Sequence, residues 1–274
     1  MLKCDTALDT RVDSELIDVC QRATRSMPEF FVSFRMQLGA DGVPANAGEL
    51  WLAYTAALAY GAADALLLCV LHNRGREAII LERQIVEYFI RARYYNEHPD
   101  EARLEFLAWP LRDKKFLDDI GLDTGSERYR AAEAACRVVQ VKFPEAYKYA
   151  DANRGRERHF AGMYGDMNDA SVRAEYAFKI RRTSQTLHGS VVGMQDVLDF
   201  RDGFIGIKFD SRSDDPNFCI ESATIHLIEF LNVINATLAL NRDADVLGLQ
   251  EGIDAILARR HPTEHAAGRK SKEN

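Results

Sequence analysis

The longest apolar stretch of the sequence runs from residue 50 to residue 71 and carries a single charge, at Asp64. It limits the possible folds more than any other segment. Its length fits a helix that spans a bilayer. A charge near the bilayer centre, however, costs about 2.5–3.5 kcal/mol, and the stretch is rich in Ala, Gly and Tyr rather than Leu and Ile. We therefore expect a helix buried on all sides of a protein that has no membrane span, with a membrane span as the alternative.

Helical periodicity recurs along most of the chain, because apolar residues return every three or four positions. A further short helix is expected to open at Pro144, since proline is tolerated in the first turn of a helix. The predicted longer helices cover residues 13–27, 49–71, 76–97, 100–117, 126–141, 171–192, 218–240 and 243–259.

Residues 199–209 break the helical pattern. The dipeptide Asp202-Gly203 lies there between alternating apolar residues, which is typical of a hairpin. The predicted fold is therefore all-α, a single-domain helical bundle of about seven or eight helices with one small β-hairpin insertion. The predicted organisation is an N-terminal helical arm (1–45), the helical bundle domain (46–260) and a disordered tail (261–274).

The apolar content and the net charge disfavour two further classes, disordered proteins and nonspecific nucleic-acid-binding proteins. Apolar residues make up 47% of the chain, enough to bury a sizeable core and to disfavour disorder. The net charge is 35 − 42 = −7, which disfavours nonspecific nucleic-acid binding by the whole surface. A local basic site is still compatible with that charge, and the run from Arg154 to His159 is the most basic short segment.

The five cysteines are far apart and form no CxxC pair, which is typical of a reducing cytosol. The first residues carry charges and no apolar leader. We therefore expect a cytoplasmic protein.

Several enzyme motifs are absent from the sequence. There is no phosphate-binding GxxxxGK[ST] loop, no GxGxxG, no HExxH and no GxSxG. The ExxH pairs that di-iron bundles need are also missing. We expect neither a metal nor a cofactor.

A polar pair lies inside the apolar stripe of the predicted helix 76–97. At 100° per residue, Glu87 falls about 40° from Arg83, and the neighbouring positions on that face are apolar. Since the other side of this helix is apolar too, we expect it to be buried nearly all round. Buried charges are costly unless they are paired, and the i, i+4 spacing allows Arg83 to pair with Glu87.

A second polar ridge lies on the predicted helix 171–192. Arg181, Ser184 and His188 fall on one face of that helix, among small apolar residues. If the two helices pack together, their ridges meet in a single buried cluster.

Three interpretations of this cluster remain open. It is a structural network that fixes helix register, or a binding site for a small ligand or partner, or the site of metal-independent RNA cleavage. In the last case His188 is the general acid and base, Arg181 holds the phosphate, and Glu87 orients one of them. Arg83 and Ser184 then support these residues.

The spacings Arg83-x-x-x-Glu87 and Ser184-x-x-x-His188 resemble those of a bacterial family of helical proteins of unknown function. In that family an RxxxE helix precedes an SxxxH helix, and a hairpin-like segment follows. The resemblance covers residues 45–245.

The pattern is also distantly similar to HEPN-type helical bundles, in which four to six residues separate an Arg from a His. Six residues separate Arg181 from His188 and five separate Arg182 from it, and the helical face favours Arg181. This resemblance implies a metal-independent endoribonuclease of the toxin or defence type, with RNA as its substrate. It also implies a homodimer.

Four further residues stand out. His226 and Glu229 lie on the predicted helix 218–240, where we expect a satisfied core histidine or a supporting role for the polar cluster. Trp51 and Trp109 are expected in the core or in helix packing.

Overall fold

The structure, a computed structural model, describes residues 12–32, 34–39, 43–153, 162–163, 166, 198–201, 204–207 and 217–262. These residues are mostly α-helical, which confirms the predicted all-α class. The helices among them are α1 (Ser14–Phe30), α2 (Ala47–Leu71), α3 (Gly75–Glu97), α4 (Pro99–Leu107), α5 (Trp109–Asp119), α6 (Glu127–Lys142), α7 (Pro144–Ala152), α8 (Asn217–Leu238) and α9 (Asp243–Arg260).

The single helix predicted for residues 100–117 is wrong, because the chain breaks there into α4 and α5. Ala108 separates the two helices, and Pro110 occupies the first turn of α5. Proline has no N–H to continue the hydrogen bonding of α4, but it is well suited to starting a new helix. This break raises the number of helices in the described ranges to nine.

Two short strands, β1 (Leu198–Arg201) and β2 (Phe204–Ile207), pair antiparallel, with Leu198 opposite Ile207 and Arg201 opposite Phe204. The predicted turn at Asp202-Gly203 lies outside the described residues. That this segment is an insertion in the helical bundle stays a prediction, as do the predicted boundaries of the arm, bundle and tail.

The chain divides into two compact units. Unit 1 comprises Met1–Phe34, Thr55–Phe89 and Ser171–Asn274, and unit 2 comprises Arg35–Tyr54 and Ile90–Ala170. Helices α2 and α3 contribute residues to both.

In unit 1, α1 packs against α8 and α9. The carboxylate of Asp13 caps α1 by accepting hydrogen bonds from the backbone N–H groups of Glu15 and Leu16. The backbone N–H of Asp13 in turn donates to Oδ1 of Asn217, which ties the starts of α1 and α8 together at 2.7 Å. Helix α1 continues past its predicted end at residue 27, includes Pro28 and ends at Phe30. Proline there costs only one hydrogen bond of the last turn.

Helix α2 is not buried on all sides, so that expectation is wrong. One face packs into the protein, while Tyr54, Tyr60 and Leu68 are exposed on the other. Ala47–Leu71 is long and apolar enough to cross a bilayer, and just under half of its most apolar window is buried. Length and composition alone are weak evidence for a span, since the core helix of a soluble protein passes the same test.

Helix α3 agrees with its prediction. Every residue from 78 to 97 is buried or half-buried, so the helix is covered nearly all round.

In unit 2, α5 packs on α6, and α4 packs on α7. Trp51 packs as expected, with its ring 4.8 Å from that of Tyr95 and its indole N–H bound to the carbonyl of Ala102. The core position expected for Trp109 is wrong, because this side chain is exposed at the start of α5. The apolar core that joins these helices consists of Val43, Leu107, Val139 and Ala146, with Leu104, Leu111 and Phe143 against it.

The packing of α1 against α8 generates a prediction about pH. Cys20 is fully buried, near the hydroxyls of Thr24 and Thr224, and burial raises the pKa of its thiol from the ordinary 9.0 to about 11. Because the pKa is higher in the folded state, this contribution to stability is complete below pH 9 and is lost as the pH rises to about 11. We expect a loss of about 2–3 kcal/mol in the free energy of unfolding over that range.

Urea unfolding of the wild type, Cys20→Ala and Cys69→Ala at several alkaline pH values checks this. Cys20→Ala should lose less stability with rising pH than the wild type. Cys69 is only partly buried, and although burial also raises the pKa of its thiol, Cys69→Ala should retain most of the wild-type dependence. An equal loss in wild type and Cys20→Ala would contradict the prediction.

Candidate functional site

Arg83 and Glu87 form the ion pair that their spacing predicts. The guanidinium Nε donates to Oε1 of Glu87 at 2.6 Å, and the two side chains are only 16% and 18% exposed. This pair lies one turn apart on α3, so the helix itself sets its geometry. Partial burial makes the attraction stronger than in an exposed pair and also makes unpaired donors more costly.

The pair does not use all the hydrogen-bonding capacity of Arg83. Its Nη1 atom is buried and has no hydrogen-bond partner in the described part of the chain. A guanidinium has five N–H donors, and one that is buried without an acceptor costs about 1–3 kcal/mol. Glu87 holds the arginine by Nε, so Nη1 remains as a donor for another acceptor.

A buried hydrogen bond that sequence reasoning missed lies beside this pair. The hydroxyl of Ser222 on α8 donates to Oε1 of Glu82 on α3 at 2.5 Å, and both residues are buried. Glu82 immediately precedes Arg83, but it points about 100° away around the helix, toward α8. The only sequence signal was the i, i+4 spacing of Ser222 and His226, a second SxxxH pattern.

His226 is buried within unit 1. Its Nδ1 lies 2.6 Å from the backbone carbonyl of Ser222, which places the proton on Nδ1. The ring meets Phe89 of α3 edge to face, with the centroids 6.3 Å apart. Glu229, one turn further along α8, is exposed. The supporting role suggested for His226 and Glu229 stays a prediction.

The second polar ridge of the predicted cluster, on the predicted helix 171–192, is not among the residues that the structure describes. Arg181, Ser184 and His188 lie outside the described residues, as does the basic run from Arg154 to His159. The meeting of the two polar ridges therefore stays a prediction.

Unit 2 contains a polar network of its own. The hydroxyl of Tyr94 bonds to Glu101 at 2.5 Å, and the hydroxyl of Tyr149 lies 3.1 Å from Glu101 and 3.0 Å from Glu105. Arg112 of α5 completes the network with an ion pair to the buried carboxylate of Glu105. These residues connect α3, α4, α5 and α7, so the network fixes how these helices meet.

Within the ranges that the structure describes, no group of three or more His, Cys, Asp or Glu side chains is placed to hold a metal ion. Comparison of the chain with protein-family models, with curated proteins and with solved structures gives no match.

The unit 2 network generates a prediction about stability. Tyr149→Phe removes the hydroxyl that lies between Glu101 and Glu105, and leaves the half-buried carboxylate of Glu101 and the buried one of Glu105 with one donor fewer. We expect the free energy of unfolding to fall by about 1–3 kcal/mol in urea titrations. Tyr147→Phe removes the hydroxyl of an exposed tyrosine on the same helix and should change it by less than about 0.5 kcal/mol. Equal effects of the two substitutions would show that the network does not hold α4 and α7 together.

Proposed function

We propose that this chain is a helical binding protein that receives the anionic group of a ligand at Arg83. The observation that carries the proposal is the buried Nη1 of Arg83, which has no acceptor among the described residues. Buried unsatisfied donors are rare in folded proteins, and they call for an explanation such as a functional role.

The Arg83–Glu87 pair has the properties of a preorganised anion receptor. Glu87 binds only Nε, so the rest of the guanidinium keeps its donors for a phosphate or carboxylate, which are the groups its planar fork fits best. A guanidinium already held by a neighbour loses little freedom when the ligand binds. The side chain is 16% exposed, so part of it reaches solvent while Nη1 itself is buried.

A second pair on the same helix provides a matched control. Arg93 donates through Nε to Glu97 at 3.2 Å, with the same i, i+4 spacing and similar burial. No nitrogen of Arg93 is among the buried unsatisfied atoms of the described chain. Of these two pairs, the one at Arg83 therefore combines the ion pair with an unused buried donor, and the one at Arg93 does not.

Binding of inorganic phosphate and of a short fluorescent single-stranded RNA tests this proposal. Arg83→Lys keeps a positive charge that can pair with Glu87, but it loses the fork of donors. We expect it to weaken binding at least about tenfold, measured by calorimetry and by fluorescence anisotropy. Arg93→Lys should bind like the wild type. If neither probe binds the wild type, or if both variants bind equally well, Arg83 is not the receptor.

RNA cleavage without a metal is a second candidate function. The observation that favours it is the second carboxylate oxygen of Glu87, which has no hydrogen-bond partner in the described part of the chain. That oxygen is available to orient Arg181 or His188, as the resemblance to HEPN-type bundles implies. The same resemblance extends the proposal to a homodimer. The scattered cysteines favour a cytoplasmic location, and the Asp202-Gly203 pattern favours a hairpin insertion after the His188 helix.

The proposed chemistry uses a nucleophile that RNA supplies itself. His188 removes the proton of the 2′-hydroxyl, whose oxygen attacks the adjacent phosphorus. The bond from phosphorus to the 5′-oxygen breaks, and His188 returns the proton to this leaving oxygen. Arg181 neutralises the charge that develops on the phosphate oxygens. The products are a 2′,3′-cyclic phosphate and a free 5′-hydroxyl.

Cleavage assays with purified protein in EDTA test this candidate. The wild type should cut single-stranded RNA, and His188→Ala should reduce the rate at least about 100-fold, the contribution typical of a general acid and base. His72→Ala, which removes an exposed histidine of the α2–α3 turn, serves as the control and should cut normally. Cleavage that persists in a folded His188→Ala protein would exclude this residue. Phosphate binding without any cleavage would leave the first proposal standing and remove the second.

A further inference from the structure

Helix α5 carries an exposed apolar face that its own unit does not use. Trp109 and Phe116 of α5, and Ile120, which directly follows the helix as its C-cap, are 66%, 54% and 56% exposed. At 100° per residue these three side chains fall within an arc of about 40°, and Asp113 lies at its edge. We call Trp109, Asp113, Phe116 and Ile120 the α5 outer stripe.

Residues of α5 outside the outer stripe already supply the packing of the helix within unit 2. Leu117 is fully buried, and Leu111 packs against the apolar core that joins α4 to α7. Helix α5 is therefore anchored without the outer stripe. Three large apolar side chains on the free face of an anchored helix are unusual in a monomer, where exposed apolar residues are mostly scattered singly.

The size of the outer stripe matches the centre of a protein interface. A buried aromatic side chain covers about 150–250 Å², so these exposed fractions amount to roughly 400 Å² of apolar surface. Just over half of a typical interface is apolar. The stripe is thus large enough for the apolar share of an interface of about 700–800 Å² per partner, the usual size for a specific complex.

The spacing of the outer stripe is symmetric. About a midpoint between residues 114 and 115, Trp109 exchanges places with Ile120, and Asp113 exchanges places with Phe116. Two copies of α5 that pack antiparallel about a two-fold axis therefore bring Trp109 of each copy onto Ile120 of the other. The same arrangement brings Phe116 of each copy next to Asp113 of the other. Such self-complementarity is what an isologous interface requires.

We propose that the α5 outer stripe binds a second copy of this chain, antiparallel and in this register. Asp113 tolerates a position at the edge of the interface because it lies 3.8 Å from Arg128 of its own chain, which balances its charge. The proposal stands apart from the function proposed for Arg83, since none of its residues belongs to that site.

Two substitutions of Phe116 test both the partner and the register. Phe116→Glu places a carboxylate beside Asp113 of the other copy, twice in each dimer, whereas Phe116→Arg places a cation there. Sedimentation velocity over a range of concentrations should show a wild-type dimer. Phe116→Glu should raise its dissociation constant at least about 100-fold, and Phe116→Arg should keep it within about tenfold of the wild-type value.

Val141→Glu is the matched control, because Val141 of α6 is 80% exposed and lies outside the stripe. It should leave the dimer intact, and circular dichroism should show that all three variants are folded. A wild-type protein that stays monomeric at submillimolar concentration overturns the proposal and leaves the stripe to a different partner. Equal dissociation of the Glu and Arg variants, or a dimer that survives Phe116→Glu, overturns the proposed register.

Discussion

The hydrogen bond from Ser222 to Glu82 is the constraint on which the polar interior of unit 1 depends. It joins residues of α8 and α3 that are 140 positions apart in the sequence. A buried carboxylate is costly without a hydrogen-bond donor, so a shift of either helix that broke this bond would be unfavourable. With these two residues in register, Phe89 meets His226 and Phe230, and Arg83 is turned away from α8 to a side of α3 where it pairs with Glu87. Two adjacent positions of α3 therefore differ in their hydrogen bonding. The carboxylate of Glu82 accepts a hydrogen bond from Ser222, whereas Nη1 of Arg83 has no acceptor in the described part of the chain.

Sequence reasoning succeeded where the physics is local. The helices followed from apolar spacing, and the Arg83–Glu87 pair followed from an i, i+4 relation that needs no knowledge of the fold. The Ser222–Glu82 bond was out of reach, because no local pattern relates residues so far apart. The break at Ala108 was within reach, since Pro110 marks it, but the apolar periodicity continues across it and concealed the change of direction.

The misplaced side chains have a common cause. Trp109 and the outer face of α2 were expected inside because apolar residues usually lie there, yet burial is a property of what packs against a residue rather than of its type. Helix α5 shows the difference clearly, since Leu117 is fully buried while Trp109 and Phe116 of the same helix are exposed. The reverse holds for α3, where all-round burial was correctly predicted even though the helix carries charges.

The composition of the two units has a consequence for how the nascent chain folds. Unit 1 joins the start of the chain to its end, with Asp13 hydrogen-bonded to Asn217 and α1 packed on α8 and α9. Helix α1 therefore leaves the ribosome with its apolar face uncovered, and this face stays uncovered until α8 and α9 have been made. The helices α4 to α7 of unit 2 contact near neighbours in sequence, and such local contacts form first. Synthesis thus passes through a stage in which unit 2 is assembled while the thiol of Cys20, later sealed in the core, is still open to solvent.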